Sequence, residues 1–189
     1  YEALVYAMPD KFGSIKRCRV IRDPDSLRRN LNLYVISEDS SGKLASTNTT
    51  IKENIKTWLS RNKMISDTID ILDAKIVNIG IEFEVVVDEE TNRFQVLSDC
   101  SQAIREKFAV TPFIGEPIYL TDMYSALNKV NGVVDTKRVN VIKKTGTNYS
   151  SVKFDVDEAL SADGRYLSVP LNVAIELKFP DSDITGAIS

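Results

Sequence analysis

Two acidic stretches hold the residue types most able to do chemistry: DTIDILD, with Asp67, Asp70 and Asp73, and FDVDE, with Asp155, Asp157 and Glu158. On a strand, Asp155 and Asp157 would point to one side, an arrangement suited to a hard cation or an acid/base pair. Glycoside hydrolysis would need two carboxyls about 5 to 9.5 Å apart across a sugar-sized cleft, and nothing in the spacing promises a cleft. A calcium loop would need Asp at three alternate positions, then Gly and a distal Glu, and neither stretch has that pattern. The chain has no histidine, which removes Ser-His-Asp and Cys-His nucleophiles and histidine-bound zinc. Its 8 glycines are scattered singly, so no phosphate-cradling loop is spelled out. The expectation is a chain with no catalytic, cofactor-binding or metal-binding residues, its carboxylates solvated on strand and loop surfaces.

Basic residues gather in two places: Lys16, Arg17, Arg19, Arg28 and Arg29, then Lys137, Arg138, Lys143 and Lys144. They could form a phosphate track, but acidic residues are interspersed, no aromatic-basic interleaving appears and the formal charge is −3. A mixed surface with no nucleic-acid partner is the expectation. Cys18 and Cys100 lack CxxC spacing and read as reduced thiols. No apolar run approaches the ~20 residues of a membrane span, so the chain is read as soluble with no membrane partner. Tyr1-Glu2-Ala3-Leu4 carries no initiator Met, and the 189 residues are read as a fragment of a longer protein.

The elements that would position these residues alternate between periods of 2 and 3.6, which predicts strands and helices in an α+β fold: a mixed sheet with amphipathic helices mainly on one face. Glu2 to Met8 reads as a short helix and Arg17 to Arg22 as a strand closed by Asp23-Pro24-Asp25. Leu31 to Ser37 reads as a strand packed on both faces, then a turn at Ser40-Ser41-Gly42. Thr50 and Glu53 have capping-box spacing ahead of an apolar stripe of Ile51, Ile55, Trp58 and Leu59.

From Ala74 to Val87, alternate positions Val77, Ile79, Ile81, Phe83, Val85 and Val87 define a core face, with Asn78, Gly80, Glu82 and Glu84 on a wet one. A second helix would bury Phe94, Leu97, Ile104 and Phe108. A third, capped by Thr121, would bury Met123, Ala126, Leu127 and Val130 and stop at Asn131-Gly132. Val133 to Lys143, Val152 to Val156 and Leu171 to Phe179 read as extended, with a turn at Asp163-Gly164. The strands Leu31 to Ser37, Ala74 to Val87, Val133 to Ile142 and Leu171 to Phe179 are expected to share one sheet.

Taken in order, the opening YEALVYAMPDKFGSIKRCRVI, the LYVIS strand, WLSRNKMISDTIDIL, AKIVNIGIEFEVVV, GEPIYLTDMYSALNKVNGVVD and DGRYLSVPLNVAIEL resemble the C-terminal part of the baseplate J-like family, nearest the wedge subunits of T-even-like contractile-tailed bacteriophages. Tyr1 and Glu2, Leu127 through Val133, and Gly164, Tyr166 and Pro170 carry most of the likeness. The resemblance implies a structural role without an active site. Such a subunit sits in the virion's tail baseplate after assembly in the host cytoplasm, joins other baseplate wedge subunits in the ring around the tail hub and helps transmit the contraction trigger. Residues 1–30 are read as an N-terminal segment, the end of a preceding domain, and 31–189 as the α+β J-like domain. Within that tail context, a carboxylate-dependent cell-envelope glycan hydrolase is the rival enzyme class, and a nucleic-acid-binding module the rival binding class.

A ring-forming likeness raises the question of self-association. FIGEPIYLTDMY crowds Ile114, Pro117, Ile118, Tyr119, Met123 and Tyr124 into one short stretch. Tyrosine and methionine suit interface centres, and the expectation is a two-fold homodimer whose contact includes Ile114, Ile118, Tyr119, Met123 and Tyr124.

Overall fold

The computed structural model describes residues 1–24, 26 and 30–189. They form an α+β fold of open sheets in two units, one of Tyr1–Ile76, Phe113–Gly115 and Pro170–Ala174, the other of Val77–Pro112, Glu116–Val169 and Ile175–Ser189.

The first unit contains α1 (Glu2–Tyr6), a 3-10 turn at Asp10–Phe12, β1 (Arg17–Arg22), β2 (Asn30–Glu38), β3 (Leu44–Ala45), α2 (Thr49–Ser60) and β4 (Thr68–Asp73). β2 pairs antiparallel with β1 and β3 and parallel with β4, Leu33 facing Val20 and Ile71 in register. A parallel pair requires a crossover, and α2 supplies it. Its stripe seals the sheet: Ile55 and Leu59 are buried with Leu33, Val35 and Cys18, and half-buried Ile51 and Trp58 pack around them. Trp58 donates its indole N–H to the Leu4 carbonyl at 2.8 Å, so its polar edge is satisfied. Residues before position 31 contribute α1 and β1 to this unit.

α2 begins on Asn48, whose side chain accepts from the Thr50 N–H at 2.9 Å, and not on Thr50 as the capping-box spacing suggested. Asparagine is as good a cap as threonine, and it stands two residues earlier. The turn expected at Asp23-Pro24-Asp25 ends on Asp25, which lies outside the described residues, as do Arg28 and Arg29.

The second unit is built on β5 (Lys75–Val87) from Val77 onward, followed by α3 (Arg93–Lys107), β6 (Ile118–Tyr119), α4 (Leu120–Leu127), β7 (Val133–Lys143), α5 (Val156–Ala159), β8 (Tyr166–Leu167), the last two residues of β9 (Val173–Glu176), α6 (Pro180–Asp183) and β10 (Ile184–Ile188). β5 pairs antiparallel with β7 and parallel with β10, and β9 also pairs with it. β6 and β8 form a separate two-stranded ribbon.

The single sheet expected from the four long alternating stretches is therefore two sheets, with β2 in one and β5, β7 and β9 in the other. Alternation reveals which residues share a face of a strand but not which strand lies beside it. The core face of β5 is as expected, with Val77, Ile79, Ile81, Phe83, Val85 and Val87 all buried. Its other face is wet only in part: Glu82 and Glu84 are half-buried, while Asn78 and Gly80 are buried. α3 turns Val96, Cys100 and Ile104 inward, an i, i+4, i+8 stripe, and leaves Phe94 exposed. α4 starts after Tyr119 with no side-chain cap, so Thr121 is a helix residue and not the cap.

Candidate functional site

The two acidic stretches are taken apart by the fold. Asp67 is buried and its carboxylate accepts the Tyr1 hydroxyl at 2.6 Å. Asp70 accepts from the Asn30 side-chain amide at 3.0 Å. Asp73 accepts from the Thr47 N–H at 3.1 Å and pairs with Lys52 at 2.6 Å. Each side chain anchors a different neighbour.

Asp155 and Asp157 do not lie side by side on a strand. Asp155 is the N-cap of α5, its Oδ1 accepting from the backbone N–H groups of Asp157 and Glu158 at 3.0 and 3.3 Å. An Asp followed by helix-forming acidic residues satisfies the first-turn amides more cheaply than a ladder would, and this capping ends the extended run. Among the described residues no group of three or more His, Cys, Asp or Glu side chains is placed to hold a metal.

Five of the basic residues are likewise engaged one at a time. Lys16 pairs with Glu38 at 2.9 Å, Arg17 lies over the Phe113 ring at 4.6 Å, and Arg19 donates to the Ile114 carbonyl at 2.6 Å. Lys137 pairs with Glu84 at 3.6 Å and Lys144 with Asp183 at 3.8 Å.

The second unit buries polar groups in hydrogen-bonded networks. Asn78 donates its side-chain amide to Glu176 at 2.8 Å and accepts the Ser150 N–H at 2.7 Å. Asp183, fully buried, accepts the Tyr149 hydroxyl at 2.6 Å and the Phe179 N–H at 2.9 Å. The Asp183 bond holds the Tyr149 phenol above its ordinary ionisation range. Gly80 makes room for this network, because a Cβ there would collide with the Lys144 side chain and the Asp183 carbonyl. Asp183 has only a weak signal in the sequence, a Pro-Asp-Ser-Asp turn after the last alternating stretch. Both thiols are buried and reduced, and burial pushes each up to about 11.

The expected contact patch is narrowed by burial. Ile114 is fully buried in the first unit with Ile36, Leu44, Ala74 and Ala174. In the second unit Ile118 and Met123 are buried, and Tyr124 is half-buried with its hydroxyl accepting the Val139 N–H at 3.0 Å. Ile114, Ile118 and Met123 thus supply no surface, because the core needed the apolar area that made them candidates. Tyr119 alone of the five is exposed, at 51%. It faces Tyr166 across the β6–β8 ribbon, the rings 6.1 Å apart and tilted by 48°, and Tyr166 is also exposed. Cross-strand aromatic pairing stabilises a two-residue ribbon that has few ladder bonds.

Open-sheet α+β architecture with dispersed, internally engaged charges defines a class of fold and no reaction. Neither a protein-family model nor a curated protein matches the sequence. Among solved structures, a chain of the anti-feeding prophage (AFP) baseplate, a 6-fold symmetrised cryo-EM structure, is similar over 100% of this chain and 36% of its own length, with a TM-score of 0.53 and 11% identity. That likeness is one of fold, and this chain spans about a third of the neighbour's length. Among the described residues no helix is long and apolar enough to cross a membrane.

Proposed function

We propose that the chain is a structural subunit of a contractile-tail baseplate, of the baseplate J-like kind, acting through protein-protein contacts and not through chemistry of its own. The observation that carries the reading is the similarity of fold over the whole chain to part of a chain in the anti-feeding prophage baseplate. The carboxylates support it: Asp155 caps a helix, and Asp67, Asp70 and Asp73 each anchor a different neighbour. In the finer reading the chain is a wedge subunit in the ring around the tail hub, helps transmit the contraction trigger and works in the virion after assembly in the host cytoplasm.

It also associates with a second copy about a two-fold axis, with Tyr119 and Tyr166 in the contact. Two tyrosines fall well short of the roughly 1,200–2,000 Å² of a stable interface, so strand edges contribute. Sedimentation across concentration tests the dimer: the chain dimerises, and Tyr119→Glu with Tyr166→Glu weakens the dimer. A chain that stays monomeric up to about 1 mM removes self-association. The baseplate role has its own test. Deleting the gene abolishes assembled baseplates seen by electron microscopy and the intact gene restores them; normal baseplates in the deletion strain overturn it.

A further inference from the structure

Bare strand edges invite pairing, and the outer strands of this chain differ in how they are guarded. On β1 the Cys18 N–H donates to the Tyr6 hydroxyl at 3.0 Å, and the Val20 N–H donates to the Glu2 carboxylate at 2.7 Å. β4 carries Asp70 and Asp73. On β7 the Val139 N–H donates to the Tyr124 hydroxyl at 3.0 Å, and Lys137, Arg138 and Lys143 charge the strand. β10 has neither device: its sequence Ile-Thr-Gly-Ala-Ile holds no charge, and β5 is its one strand partner among the described residues.

The register shows what that edge offers. Ser189 donates its N–H to the Val85 carbonyl at 3.1 Å, one step beyond the Ile188–Val85 pair. Alternate residues of a parallel strand face the partner, so Thr185 and Ala187 bond to β5, and the N–H and C=O groups of Gly186 and Ile188 face away. Those outward groups have no hydrogen-bond partner among the described residues. α3 borders the same edge, since a Cβ on Gly186 would collide with Leu97 and with the Phe83 ring. Leu97 shares its flank of α3 with Phe94, Ser98 and Ser101, none of them charged, and Phe94 is 86% exposed. The polar residues Gln95, Asp99, Gln102 and Glu106 pair with one another along the helix, and Arg105 at the rim pairs with Asp181.

We infer that β10 pairs antiparallel with β10 of a second copy about a two-fold axis at Gly186, so that one sheet runs through both chains. The strand complements itself on that axis. Gly186 meets its counterpart, each Ile184 meets an Ile188 on the face that Phe83 shares, and each Thr185 meets an Ala187 on the other. The small side chains of Ser98 and Ser101 leave room for the second α3 on the same face. A neutral edge offers no complement to a charged foreign strand, whereas a second copy matches it residue for residue. The inference rests on the self-association proposed above and names the strand edge that the tyrosine contact needs.

Cross-linking tests the register. Thr185 and Ala187 are exposed, and facing residues of a non-hydrogen-bonded antiparallel pair lie about 4.5 Å apart at Cα, within reach of a disulfide. Thr185→Cys mixed with Ala187→Cys forms a covalent dimer on mild oxidation at least tenfold faster than either variant alone. Phe94→Glu, at an exposed position, puts a charge into the apolar junction and raises the dimer dissociation constant at least tenfold in sedimentation, with the melting temperature at high dilution unchanged. A parent that stays monomeric up to about 1 mM removes self-association and this contact with it. A parent that dimerises while the mixed cysteines cross-link no faster than either alone, or while Phe94→Glu dimerises equally well, overturns the β10 contact and leaves self-association standing.

Discussion

The long strands β2 and β5 bury themselves by different means. Around the middle of β2 the buried cluster is apolar: Leu33 and Val35 meet Ile55 and Leu59 of the crossover helix, the Trp58 indole finds a carbonyl, and the end of the strand adds one buried polar pair, Ser37 donating to Thr47 at 3.0 Å. Around the first half of β5, buried polar side chains are interleaved with apolar ones, and Asn78, Glu176 and Asp183 are tolerated because hydrogen bonds satisfy them. An apolar core is held by area removed from water and degrades gradually, whereas a polar one is held by geometry and fails when one partner leaves.

The comparison can be broken from either side. The largest effect is expected on the apolar face of β5, where Phe83→Asp places an unpaired charge in the core, costs several kcal/mol and abolishes cooperative melting. A soluble Phe83→Asp protein with a sharp transition would show that the strand's faces are misassigned. Next comes the polar network: Asp183→Ala strands the Tyr149 hydroxyl and the Phe179 amide and costs about 3 kcal/mol in denaturant unfolding. A loss below about 1 kcal/mol would mean that water replaces the carboxylate, and that the polar core is less geometric than described.

The thiols sharpen the comparison by pH, since each unit buries one. Both ionise near 9.0 when exposed and are pushed up to about 11 in the fold, so the folded state keeps them neutral where the unfolded chain charges them. Their contribution is full below pH 9 and is lost as pH rises toward 11. Cys18→Ala with Cys100→Ala should therefore lose less stability across that interval than the parent, measured by denaturant unfolding at each pH. An identical pH slope would place the alkaline loss elsewhere. The smallest effects belong to the caps: Asn48→Ala on α2 and Asn92→Ala on α3 each cost about 1 kcal/mol.

The same contrast explains what was legible in the sequence. The face of β5 from Ile81 to Val87, the limits of β1 and β7, and the stripe Ile51, Ile55, Trp58 and Leu59 follow from periodicity, because burial on one side leaves a regular trace. β4 was hidden because TIDILD reads first as a row of carboxylates, and a parallel edge strand is specified by its crossover more than by its own pattern. Phe94 reads as part of an apolar face with Leu97, Ile104 and Phe108, while Val96, Cys100 and Ile104 hold the i, i+4, i+8 spacing that is buried. The Asn78 and Asp183 networks join residues far apart in the chain and have no local signature. For the contact patch, composition pointed to a crowded stretch, but only burial separates exposed Tyr119 from Ile114, Ile118 and Met123.

The baseplate role is tested most directly by locating the chain in an assembled particle. Contractile-tail particles purified from cells that produce the tagged protein should, when decorated with gold and imaged, carry label at the baseplate end of the tail and at no other site. Label confined to the unassembled soluble fraction, or spread along the tail away from the baseplate, would contradict the account.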